Sequence, residues 1–121
     1  MTAADDFDQH DVYRAAAALV DFVYGLEDRF PDDERELFQR LRTAAVDVGA
    51  RIAEGFGRDG LHADGSLSEP TRRETLASLS ELRHYVLTAH RRFLLDERRL
   101  SDFEERYRGI RGAVTHPEAD R

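Results

Sequence analysis

Glu81 and His84 stand three residues apart in SELRHYV, the spacing with which a helix turns a carboxylate and an imidazole toward one metal ion. A di-iron bundle needs that E-x-x-H motif twice, with two further glutamates, all facing inward. Here the motif occurs once. The other histidines, His10, His62, His90 and His116, supply no second copy, so Glu81 and His84 are read as an exposed pair on a solvated helix face. Cysteine is absent, which removes thiolate metal sites, cysteine nucleophiles and disulfides. No catalytic residue, metal or cofactor is expected, and the chain is not expected to be an enzyme.

The basic side chains offer a different chemistry. All 18 are arginines. Arg72 and Arg73, Arg91 and Arg92, and Arg98 and Arg99 form three adjacent pairs. The last two pairs flank a turn and, with Arg106 and Arg108, would gather at one end of a helical fold. Arg91, Arg92, Arg98 and Arg99 are therefore the candidate nucleic-acid patch, since phosphate binding requires clustered cations. Single-strand recognition also wants exposed aromatics on which bases stack. Phe93, Phe103 and Tyr107 fall on the apolar seam, so a solvated face is the expected role of these arginines.

A third constellation lies in TAAVDVGARIAEGFGR, residues 43–58. Each of its three glycines costs a helix roughly 0.5–1 kcal/mol relative to alanine. Ala45, Gly49, Ala53 and Gly57 recur every four residues, a narrow stripe on which a neighbouring backbone can come close, within the subunit or between subunits. A phosphate cradle is disfavoured, because GFGR ends a helix and anions bind at helix N-termini. Glu54 and Arg58 have the favourable i, i+4 order and are expected to form a partly buried ion pair, with Arg42 or Arg51 nearby.

These groups must be positioned by helices, because the apolar residues recur at helical spacing. Val12, Ala16, Leu19, Val23, Leu26 and Phe30 step by fours and threes and predict a first helix over about 8–29. Pro31 and the acids after it punctuate. Leu37, Leu41, Ala45, Val48 and Ile52 predict a second helix over about 33–56, followed by one substantial loop, about 57–70. Ser68 to Pro70 start a third helix, whose seam reads Leu76, Leu79, Leu82, Val86, Ala89 and Phe93. Asp96 or Ser101 caps a fourth, with Leu100, Phe103, Tyr107, Ile110 and Val114 inward. No useful stretch alternates with period two. The expected fold is all-α, an antiparallel up-down-up-down four-helix bundle over 8–114, with flexible ends at 1–7 and 115–121.

A chain of 121 residues is expected to form one domain with its own core. An acidic N-terminus and the lack of any long apolar run predict a cytoplasmic protein without a membrane span. The formal net charge is −7, unevenly spread: residues 1–71 carry −9 and residues 72–111 carry +3. That balance argues against a broad nucleic-acid surface while leaving room for a local one.

The segments FPDDER, R-x-A-A-V at Arg42–Val46, I-A-E-G at Ile52–Gly55 and S-x-S-E-L at Ser78–Leu82 resemble the bacterial four-helix bundle family encoded in intervening sequences of 23S ribosomal RNA genes. The resemblance covers about residues 8–112. Where the family commonly has proline and asparagine before I-A-E-G, this chain has Gly49 and Arg51, and its loop before the third helix is longer and more acidic. The resemblance implies the bundle fold and no particular activity. A related branch, the accessory variability proteins of diversity-generating retroelements, forms a basic pentameric ring that binds RNA and a reverse transcriptase. By that likeness a homo-oligomer, with the pentamer favoured, is expected here. The resulting expectation is a non-catalytic homo-oligomeric scaffold with an unidentified protein partner. The alternative is a nucleic-acid-associated accessory protein, which the net charge disfavours.

Overall fold

Heptad-like spacing on four segments leaves each helix with one apolar stripe to bury, and the described residues bury all four stripes together. The structure, a computed structural model, describes the backbone over 3–59 and 67–115 and the side chains over 12–55 and 67–115. Helix α1 spans Ala3–Tyr24, α2 Arg35–Asp59, α3 Glu69–Arg91 and α4 Glu97–Thr115. Each packs against its neighbour in chain order, and α1 closes the arrangement against α4. Among the described residues there is no strand. The chain is an all-α four-helix bundle.

The helix ends follow from local chemistry. Helix α1 begins at Ala3, ahead of the expected start at 8, and stops at Tyr24 rather than 29. Gly25 follows, and Leu26 then donates its N–H to the Val23 carbonyl at 3.0 Å, a tighter turn than the α-helix allows. Two single 3-10 turns, Glu27–Arg29 and Asp32–Glu34, carry the chain across, with Phe30 extended before Pro31 as a residue preceding proline must be. Ser68 caps α3, accepting the Thr71 N–H, and Pro70 sits in its first turn. Asp96 caps α4 through the Arg99 N–H at 2.8 Å, so Asp96 rather than Ser101 is the capping residue. The connection expected over 57–70 is shorter at both ends, since α2 runs to Asp59; residues 60–66 and 116–121 lie outside the described residues.

Leu19, Val23, Leu41, Val48, Ile52, Leu79, Leu82, Val86, Phe103 and Ile110 form a core from which solvent is excluded. Phe38, rather than Leu37, is the buried residue of the first turn of α2, and it packs on Phe30 with ring centres 5.2 Å apart. Contacts between helices run in opposite directions along α2 and α3: Glu34 meets Arg92, whereas Arg51 meets Glu74 and Ser78. The same holds for α3 and α4, where His90 meets Glu97 and Arg83 meets Glu104. The connections 25–34 and 92–96 therefore share one end of the bundle.

Candidate functional site

The small-residue stripe does not lie along one crossing. A helix advances about 100° per residue, so each four-residue step overshoots a full turn by roughly 40°. Ala45 is in the core, Gly49 is half-buried and Ala53 is exposed; the Gly57 side-chain position lies outside the described residues. Gly49 has no neighbour within 4 Å of where a Cβ would stand, so it is not a contact point inside the subunit. The glycine that permits close approach is Gly55. A Cβ there would sit 2.4 Å from Thr71 Cγ2 and 3.0 Å from Leu67 Cδ2, which brings the start of α3 onto α2. Periodicity by fours hid it, because Gly55 lies on the core phase set by Val48 and Ile52.

Gly49 instead forms part of an apolar groove of about 370 Å³ between α1 and α2, lined among others by Tyr13, Val20, Val46 and Ala53. Tyr13 is 50 % exposed and Val46 42 % exposed. Asp21 lines one side of the groove, while Asp47 and Glu54, seven residues apart and so on one face of α2, are exposed and lie outside its lining.

The partial burial expected of Glu54 is corrected by this placement. Glu54 points to solvent and has no partner among the described residues, and the Arg58 side chain lies outside them. Arg42 turns instead over the Tyr24 ring, 5.9 Å from its centre. Arg51 turns to α3, where its Nε donates to Ser78 Oγ at 3.1 Å and its guanidinium pairs with Glu74 at 3.4 Å. Arg51 is thus a strut between α2 and α3.

Glu81 accepts a hydrogen bond from the Tyr85 hydroxyl at 3.3 Å, and both Glu81 and His84 are exposed. Their pairing is with the helix surface. Among the described residues no three histidine or carboxylate side chains gather where they could hold a metal ion.

Of the four arginines that flank the α3–α4 turn in the chain, two are engaged by carboxylates. Arg92 forms a forked pair with Glu34, whose second bond measures 2.8 Å, and this guanidinium holds the Glu34 carboxyl below the ordinary carboxylate range. Arg99 pairs with Asp96 at 2.7 Å. Asp96 is likewise held low, chiefly by the Arg99 backbone N–H. Arg91 donates only to Thr88 Oγ1, and Arg98 has no carboxylate partner among the described residues. Arg106 spends its charge on Asp102 and lies over the Phe22 ring.

Phe93 overturns its expected place on the seam. It is 94 % exposed, with a backbone φ of 63°. The reason is the way α3 ends. The Phe93 N–H donates to the His90 carbonyl and the Leu94 N–H to the Ala89 carbonyl, both at 3.0 Å, the bond pair of a Schellman motif. The left-handed residue of that motif is usually glycine, because an L side chain there is disfavoured by roughly 1–2 kcal/mol. The reversal sends Leu94 and the buried Leu95 toward the core and leaves Phe93 outside. Phe103 and Tyr107 do face inward, Phe103 fully buried and Tyr107 stacked on it at 5.9 Å.

With a four-helix bundle of this connectivity described, the family model for the 23S rRNA-intervening sequence protein matches residues 8–116. The chain belongs to this family. No match is found among curated proteins. No described helix of this family member is long and apolar enough to cross a membrane.

Proposed function

We propose that this member of the family is a non-catalytic, homo-oligomeric scaffold that works by binding another protein, with a pentamer as the favoured assembly. The observation that carries this reading is the α1/α2 face. A single bundle has no use for an open apolar groove with a glycine in its floor, since Gly49 weakens α2 without permitting any contact inside the subunit. Small residues on an exposed face let a second surface approach closely, and an apolar patch of this kind marks an interaction site. Light scattering coupled to size exclusion tests it: a mass several times the 13.9 kDa of one chain is expected, and a monomer at micromolar concentration refutes it.

A second reading, a nucleic-acid-associated accessory protein, is favoured by the exposed Phe93, two residues after Arg91 at the end of α3. An aromatic face next to free guanidinium groups is what single-stranded bases stack on. The charge around it opposes this reading. Glu34 and Asp96 take up Arg92 and Arg99, Asp32 and Asp33 lie at the same end, and the chain as a whole carries −7. Titration with single-stranded RNA at about 0.15 M salt, where screening acts over roughly 8 Å, separates the two readings.

A further inference from the structure

We propose that the α3–α4 hairpin opens at Phe93 and that two copies of this chain exchange α4, each filling the place that the other's α4 has left. The sequence on either side of the turn has the pattern of one uninterrupted helix. The apolar stripe of α3, from Leu79 to Ala89, goes on in steps of three and four through Phe93 and Asp96 to Leu100, and from there through Phe103 to Val114, the stripe of α4. Asp96 is the one member of that series that is not apolar. Two helices that only ever meet through a turn have no need to share a register across it, whereas a sustained heptad belongs to a continuous helix. Nor does the turn carry the residues that turns use: no glycine or proline stands between 71 and 108.

The hairpin is therefore closed against local preference. Phe93 fills the left-handed place of the Schellman motif with a φ of 63° and is 94 % exposed. Holding the turn shut are Leu95, buried beneath it, the Asp96 cap on the Arg99 N–H, and the contact of His90 with Glu97. In the open form residues 92–96 become helical, and Glu69–Thr115 runs on as one helix of roughly 70 Å. Such a helix carries α4 away from its own subunit and leaves its place beside Phe22 and Arg83 vacant. The α4 of a second copy restores there the Phe22–Phe103 contact at 6.5 Å and the Arg83–Glu104 pair at 2.9 Å. Two copies that exchange thus regain the contacts between helices, lose only those of the turn, and relieve Phe93 twice; a short hinge under strain favours such an exchange. The α1/α2 face takes no part in it, so the exchange goes beyond the scaffold reading.

The test uses the full chain and two variants with opposite effects. Phe93→Gly takes away the strain that opening relieves and should weaken the exchanged dimer about 100-fold, about tenfold for each hinge. Asp96→Ala removes a cap that only the hairpin uses and fills the gap in the heptad, so it should strengthen the dimer. Each protein is refolded at high micromolar concentration, and monomer and dimer are separated by size exclusion, with masses of once and twice 13.9 kDa expected from light scattering. To tell exchange from association, Arg83→Cys and Glu104→Cys are combined in the otherwise cysteine-free chain and joined by a short bis-maleimide. On a denaturing gel the treated dimer should run as two joined chains, because position 83 of one copy then faces position 104 of the other, and the treated monomer as one. A dimer or larger oligomer whose chains separate on that gel overturns the exchange and leaves the homo-oligomeric reading standing. A dimer fraction that Phe93→Gly leaves unchanged overturns the exchange as well. A chain that stays monomeric at every concentration, Asp96→Ala included, overturns both.

Discussion

Replacing Gly55 by alanine adds one methyl group at the tightest point between α2 and α3. The new Cβ would stand 2.4 Å from Thr71 Cγ2 and 3.0 Å from Leu67 Cδ2, distances at which neighbours must move. Thr71 is buried and β-branched, and the Ser68 hydroxyl donates to its Oγ1 at 3.1 Å, so turning its side chain away breaks that bond. The first turn of α3 must shift instead. Overpacking of this kind costs about 1–3 kcal/mol, and the gain in helix propensity returns roughly 0.5–1 kcal/mol, so a net loss near 1 kcal/mol is expected. For a domain of this size that is about 4 °C in Tm. Gly109→Ala, in α4, is the control: no atom lies within 4 Å of its Cβ, so only the propensity gain of roughly 0.5–1 kcal/mol remains. Thermal and urea unfolding at one fixed protein concentration measure both. If Gly55→Ala proves as stable as Gly109→Ala, the close approach of α3 to α2 is refuted.

Phe93→Gly should stabilise the isolated subunit by about 1 kcal/mol, because it relieves the left-handed strain and gives up no buried area; an unchanged unfolding midpoint in urea would contradict the strained turn. Phe103→Ala, which empties a fully buried aromatic site, should cost about 3–5 kcal/mol in the same assay. Glu34→Gln should destabilise at neutral pH. The folded-state pKa of Glu34 is depressed by Arg92, so its contribution is present above the ordinary value of 4.5 and is lost as pH falls below that through the folded value. Unfolding curves of wild type and variant should thus converge in acid, and a difference that persists there would remove the pair from the account. Binding to generic RNA at about 0.15 M salt should be weak, and no weaker when Arg92 and Arg99 alone are changed to alanine, since both are already paired.

The bundle is legible in the chain because its information is periodic. Leu79, Leu82, Val86 and Ala89 read as one stripe and are one stripe, and Ser68 and Asp96 cap the helices that follow them. What periodicity misses is phase and interruption. Phe38, Leu41, Ala45, Val48 and Ile52 form the better heptad, yet Leu37 has the same chemistry one residue earlier. Phe93 continues the α3 rhythm in sequence, but the helix has ended at Arg91, and past a Schellman turn the 3.6-residue phase no longer applies. Gly49 and Gly55 are indistinguishable as letters. Only the packing of Leu67 and Thr71 on one and of nothing on the other tells a crossing from an open groove. The burial expected of Glu54 fails for a related reason: i, i+4 order with Arg58 places two residues on one face without saying whether that face is buried.

The central claim is that copies associate through the α1/α2 face, and the absence of cysteine from the chain allows it to be probed at one position. Val46→Cys places a single thiol on the rim of the groove, where the side chain is 42 % exposed in one subunit. Thr43→Cys places one on the α2/α3 side as a control, beside Glu81 and Tyr85. The rate of reaction with a thiol reagent is then followed from nanomolar to high micromolar protein. The account predicts that Val46→Cys becomes protected as concentration rises and recovers on dilution, while Thr43→Cys reacts at a constant rate. Equal rates for Val46→Cys at every concentration, in a protein that remains folded, would contradict it.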